Sequence, residues 1–135
     1  FKGRFLVKDL MNEFDLSDLD TKYDLIVAND FLEHIANPSD ILYQAHKVAT
    51  KNAKIAVSVP NWRMGHIFIY RGLFDYDNWL YTMRTHGWDV SSVSPSNLVT
   101  PFYKKLDSES TMPDELIQSW NWYFIGDRRT EPWGK

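Results

Sequence analysis

The stretch that most constrains this chain is Leu25-Ile26-Val27-Ala28, four apolar residues in a row opened by Tyr23-Asp24 and closed by Asn29-Asp30. A half-buried strand alternates. An uninterrupted run reads as a strand covered on both faces, the pattern of an inner strand in a parallel sheet. Asn37 then reads as an N-cap, Pro38 as the first helical residue and Asp40 as the third. Ile41, Leu42, Ala45, Val48 and Ala49 fall on one helical face. Lys47 and Lys51 lie toward the C-terminus, where the helix dipole favours cations, and Asn52 suits a left-handed cap. Lys54-Ile55-Ala56-Val57-Ser58-Val59 is the next strand, ended by Pro60. Strand, helix and strand with short joints make a right-handed βαβ unit. In open parallel sheets ligands bind past the carboxyl ends of the strands. Asn29, Asp30 and Phe31 stand at that place.

The flanks are less regular. Residues 4–8 read as a short strand ending at Asp9, and residues 10–22 as an acidic loop with a helical turn. That loop lacks the Gly and closing Glu of a calcium loop. Residues 61–76 are irregular and aromatic. Residues 77–85 predict a helix with Leu80 and Met83 inward, closed by Gly87. Residues 88–93 alternate as a strand with one wetter face. A long loop over 94–112 and a helical turn begun at Pro113 lead to a last strand at 121–126, expected to be antiparallel. From Asp127 the tail is polar and expected to fray.

Composition excludes several function classes. Net charge is −3, and the basic pairs Lys104-Lys105 and Arg128-Arg129 are the largest clusters, which argues against nucleic-acid binding. The chain has no cysteine, so disulfides and Cys-based zinc sites are excluded, and its four histidines do not fall at a metal-ligand spacing. No apolar run approaches the roughly 20 residues that span a bilayer, and no signal peptide opens the chain. The expectation is a cytoplasmic protein with no membrane partner. Its 135 residues suffice for a single domain over 1–135. The chain opens at Phe1 without Met, so the domain is expected to be N-terminally truncated.

The chain resembles the C-terminal part of a class I S-adenosylmethionine-dependent methyltransferase. The carrying residues are Tyr23-Asp24-Leu25-Ile26-Val27-Ala28-Asn29-Asp30-Phe31-Leu32-Glu33-His34-Ile35 with Asn37-Pro38, the family's acidic start, apolar strand, Leu-Glu-His triplet and proline. Ile55-Ala56-Val57-Ser58-Val59-Pro60-Asn61 is similar to its next strand, His86-Gly87-Trp88-Asp89-Val90 to the start of its penultimate one, and Phe5-Leu6-Val7-Lys8-Asp9 to the strand that reads adenine. The match spans most of residues 4–127, and only 23–61 is specific. The family's glycine-rich loop and ribose-binding acidic residue are absent and would lie before Phe1. The Gly-Gly common before Lys54 is here Asn52-Ala53.

The resemblance implies an α/β fold, a partial Rossmann-like doubly wound sheet, mostly parallel with an antiparallel last strand. It implies S-adenosylmethionine as cofactor and a small-molecule acceptor of the methyl group. Asp9 would accept from the adenine amino group, with the Leu10 N–H offered to a ring nitrogen; the alternative is that Asp9 caps a turn. Asn29, Asp30 and Phe31 would border the methionine end of the cofactor, or else satisfy strand-end amides. His34 would be the catalytic base, a role that suits an imidazole titrating near neutrality, or would pack within the turn. Glu33, Trp62 and Tyr70 would meet the acceptor. Trp62, Met64, Phe68, Tyr70, Phe74, Tyr76 and Trp79 would form a lid over it, or bury against the sheet. The rival functions are a non-catalytic methyltransferase-like binding or oligomerisation module and a different doubly wound enzyme or nucleotide binder. An unpaired apolar inner strand invites association, so a homo-oligomer is also expected.

Overall fold

The structure is a computed structural model and describes residues 3, 6–9, 16, 19–61, 75–95, 104–105, 112, 114–117 and 119–133. Five strands form one sheet: β1 (Tyr23–Asn29), β2 (Ala49–Pro60), β3 (Trp88–Pro95), β4 (Lys104–Lys105) and β5 (Asn121–Arg128), in the order β1-β2-β5-β3-β4. Among the described residues two α-helices accompany them, α1 (Pro38–Val48) and α2 (Tyr76–Thr85).

The βαβ unit forms as the pattern predicts. Asn37 Oδ1 accepts from the Asp40 N–H at 3.3 Å, and Pro38 takes the first helical position. The helix ends earlier than expected, at Val48. Ala49 already pairs with Tyr23, and Lys51 and Asn52 belong to β2. Two distant residues enforce the stop. Lys22 Nζ donates to the Lys47 carbonyl, and Thr50 Oγ1 donates to Asp24 Oδ1 at 2.7 Å.

The expected, mostly parallel sheet is corrected. Among the described strands only β1 and β2 pair in parallel; β2–β5, β5–β3 and β3–β4 are antiparallel. The cause is where β5 sits. It runs against the chain direction between β2 and β3, so β3 keeps the direction of β1 and β2 but has no parallel neighbour. The strand expected over residues 4–8 is also not seen: Leu6 and Val7 are exposed and irregular, with no described ladder to join. Residues 4 and 5 lie outside the described residues.

Both helices cover one face of the sheet. Ile55, Val57 and Val59 of β2 share this face with Trp122 and Phe124 of β5 through direct register pairs. Trp88 Nε1 donates to the Leu42 carbonyl of α1 at 3.1 Å, and Tyr76 of α2 packs on Trp122 and Phe124 with ring centroids 5.7 and 5.4 Å away. Burying an aliphatic side chain of this kind contributes about 1.5–3 kcal/mol. A bulge between Val90 and Ser92 puts Val90 and Val93 on the same buried face despite their odd spacing.

The opposite face explains a second correction. β1 is an edge strand among the described elements, and Leu25 and Val27 are 60% and 58% exposed instead of buried. Their row continues through Ala56 and Ile125, both half-buried. Only Ile26 and Ala28 of the apolar run pack on the core.

The tail is fixed where fraying was expected. Asp127 and Arg128 complete β5, and Trp133 stacks on Tyr43 of α1 with centroids 4.8 Å apart. Gly87 closes α2 at φ 93, where a Cβ would sit 2.5 Å from His46 Cδ2. Among the described residues no helix is long and apolar enough to cross a membrane.

Candidate functional site

At the carboxyl end of β1 the backbone turns sharply. Asp30 takes φ 44, the left-handed region that Asp tolerates better than most residues because its short polar side chain bonds locally. Its N–H donates to the Ser58 carbonyl at 3.1 Å and lies 3.0 Å from Ser58 Oγ. Ser58 Oγ in turn donates to Asp30 Oδ1 at 3.1 Å, and Asn121 Nδ2 donates to the same oxygen. The carboxylate is thus held from β2 and from β5 while Asp30 itself stays exposed.

Register builds this cluster. Asn29 pairs with Ser58 across β1 and β2, and Ser58 pairs with Tyr123 across β2 and β5. Ser58 is completely buried, a hydroxyl between the buried Val57 and Val59. Two pairs further on, Pro60 meets Asn121. The neighbouring Asn61 is buried and ties the approach to β5 in place. Its N–H donates to the Trp120 carbonyl at 2.8 Å, and its Nδ2 donates to the carbonyls of Ile117 and Ser119, both at 2.9 Å.

Beyond Asp30, Leu32–His34 form a single 3₁₀ turn, anchored by Leu32 in the core. The Glu33 side chain is buried at 0% exposure and the His34 side chain is 43% exposed, with Nε2 and Oε1 3.5 Å apart. The turn therefore offers an imidazole to solvent with a carboxylate behind it.

The residues anticipated from the sequence sort as follows. Asn29, Asp30, Phe31, Glu33 and His34 gather at the carboxyl edge of β1; Asn29 and Asp30 are exposed, Phe31 and His34 half-buried. Phe31 packs against the core. Glu33, expected at the acceptor, is buried in the turn. Asp9 is exposed at the end of the irregular stretch 6–9. Leu10, Trp62, Met64, Phe68, Tyr70 and Phe74 lie outside the described residues. Tyr76 and Trp79, assigned to the lid, are buried against the sheet. Burial pushes the Tyr76 hydroxyl up to about 12, so it keeps its proton near neutrality.

Ser58, Asn121 and Asn61 were missed. Ser58 left a signal, a single polar residue between Ile55-Ala56-Val57 and Val59 at the height of Asn29. Asn121 left none, because its place beside Asp30 depends on the strand order. Among the described residues no three His, Cys, Asp or Glu side chains come together to hold a metal.

Residues 2–91 match the model of a family described as a methyltransferase domain. A search of curated protein sequences finds no match. Solved structures share the fold. An S-adenosylmethionine-dependent methyltransferase of Thermotoga maritima aligns at TM-score 0.56 and 14% identity, over 83% of this chain and 60% of its own. A TehB-like S-adenosylmethionine-dependent methyltransferase of Corynebacterium glutamicum aligns at TM-score 0.61 and 17% identity, over 93% of this chain and 56% of its own. The chain therefore spans less than two thirds of the length of either neighbour. At these identities the likeness is one of fold.

Proposed function

The chain belongs to the methyltransferase-domain family, and from that premise we propose that it forms the donor-and-acceptor edge of an S-adenosylmethionine-dependent methyltransferase acting on a small molecule. One observation carries the reading: an exposed carboxylate, Asp30, fixed by Ser58 and Asn121 at the carboxyl end of the parallel pair β1–β2, inside the segment the family model matches.

The residues fit the cofactor. Asp30 and Asn29 present exposed polar groups suited to the charged, methionine-bearing end, Phe31 walls it, and Asp9 reads the adenine. S-Adenosylmethionine bound there supplies a methyl group on a sulfonium, open to in-line displacement by an acceptor lone pair. Such a transfer needs alignment and exclusion of water more than covalent help. His34 takes the proton that the acceptor gives up. Buried Glu33, within ion-pair reach, orients the imidazole, a change from the acceptor contact first assigned to it. Leu10, Trp62 and Tyr70 complete the adenine and acceptor contacts in this reading.

Isothermal titration of the full-length protein tests it. Heat of binding is expected with S-adenosylmethionine and none with ATP or NAD. No heat with S-adenosylmethionine overturns the reading and leaves the non-catalytic module.

A further inference from the structure

We infer that Ser58 and Asn121 are positioning residues, which hold the Asp30 carboxylate so that its charge favours the sulfonium form of the donor over the neutral thioether left after transfer. The inference rests on the methyl-donor reading and goes beyond it. It says which residues discriminate donor from product, and by what means.

Three observations meet here. Asp30 carries a positive φ, the one non-glycine residue to do so among those described. Such a conformation persists only where the surroundings hold it, and holding it fixes where the side chain points. The surroundings are specific: Ser58 closes a two-way pair with Asp30, accepting at Oγ from its N–H and donating from Oγ to its Oδ1. Asn121, 91 residues away in sequence, also donates to that oxygen. Ser58 is wholly buried, so its hydroxyl has been taken from water to a place between apolar Val57 and Val59. That placement is costly unless its hydrogen bonds are made.

Both donors engage Oδ1 and leave the carboxylate at the surface of the strand edge, held in one orientation. A fixed, oriented charge needs no reorganisation to act on a cation, whereas a freely rotating carboxylate spends part of its attraction on being ordered. The donor differs from its product by one positive charge at sulfur. An oriented carboxylate nearby separates the two by its Coulomb attraction for that charge.

The test is a pair of affinities, for S-adenosylmethionine and for S-adenosylhomocysteine, measured by calorimetry on the full-length protein with each variant's melting temperature as a check on folding. Asp30→Asn keeps the shape and removes the charge. It should weaken S-adenosylmethionine on the order of tenfold and leave S-adenosylhomocysteine within about twofold. Ser58→Ala and Asn121→Ala keep the charge and release its orientation; each should move the ratio of the two affinities the same way by severalfold. If Ser58→Ala does not fold, Asn121→Ala alone decides, since Asn121 is only half-buried. Equal loss of both ligands in these variants, or an unchanged ratio, overturns the positioning role and leaves the donor reading standing. A wild-type protein that binds neither ligand overturns both.

Discussion

His46 shows how a residue far from the site sets the behaviour of the protein. It lies buried on α1 beneath the end of β5. Its Nε2 lies 2.8 Å from the Arg129 carbonyl, so that nitrogen carries the proton. Nδ1 then faces Arg128 Nη2 at 3.5 Å, as an acceptor. Burial pushes the imidazole below its ordinary value; Arg128 and Arg129 push the same way, while the Arg129 carbonyl and the Glu131 carboxylate pull back. The sign follows from linkage. With the folded value below 6.5, the unfolded chain takes up the proton first as pH falls. Stability is therefore full above the unfolded value. It drops as pH falls through that value and levels off below the folded one. His46→Gln keeps a donor for the Arg129 carbonyl and removes the titration. Melting curves at pH 7.5, 6.5 and 5.5 should show a steeper loss for wild type than for the variant. Parallel curves would mean that His46 is not the source.

At the scale of elements, Asn61 is the joint between β2 and the approach to β5. Its side chain and N–H together serve three carbonyls, those of Ile117, Ser119 and Trp120. Asn61→Ala leaves the Ile117 and Ser119 carbonyls without this donor, a cost of about 1–3 kcal/mol where such groups are buried. It should also raise amide exchange at Ile117, Ser119 and Trp120, whose carbonyls Asn61 holds. An unchanged melting temperature with unchanged exchange would remove Asn61 from this role. The contrast with Asn37 shows what was readable beforehand. The Asn37 cap joins residues three apart, and its chemistry is written in Asn-Pro-Ser-Asp. The Asn61 contacts span 56 and 58 residues and follow from the pairing of Pro60 with Asn121, which no local pattern encodes. The end of α1 fails for the same reason: Lys22 and Asp24 act across 25 and 26 residues.

At the scale of the molecule, the sheet has a covered face and an open one. The apolar run at residues 25–28 correctly located a strand and its polar carboxyl end, because a run and its closing polar residues are local facts. It misjudged coverage, because coverage depends on which side the helices take and on β1 being the edge of the described sheet. The two faces predict opposite responses to substitution in adjacent rows. Val27 is 58% exposed on the open face, so Val27→Thr should change stability by about 0.5 kcal/mol or less in the 135-residue chain. Ile55, in the neighbouring row, is 1% exposed beneath the helices, and Ile55→Ala should cost about 2–5 kcal/mol by lost burial and a new cavity. At about 4 °C per kcal/mol for a domain of this size, the melting temperature should fall by some 8–20 °C for Ile55→Ala and by roughly 2 °C or less for Val27→Thr. A Val27→Thr loss as large as that of Ile55→Ala would show the open face to be packed in solution, and the two-faced description would then be wrong.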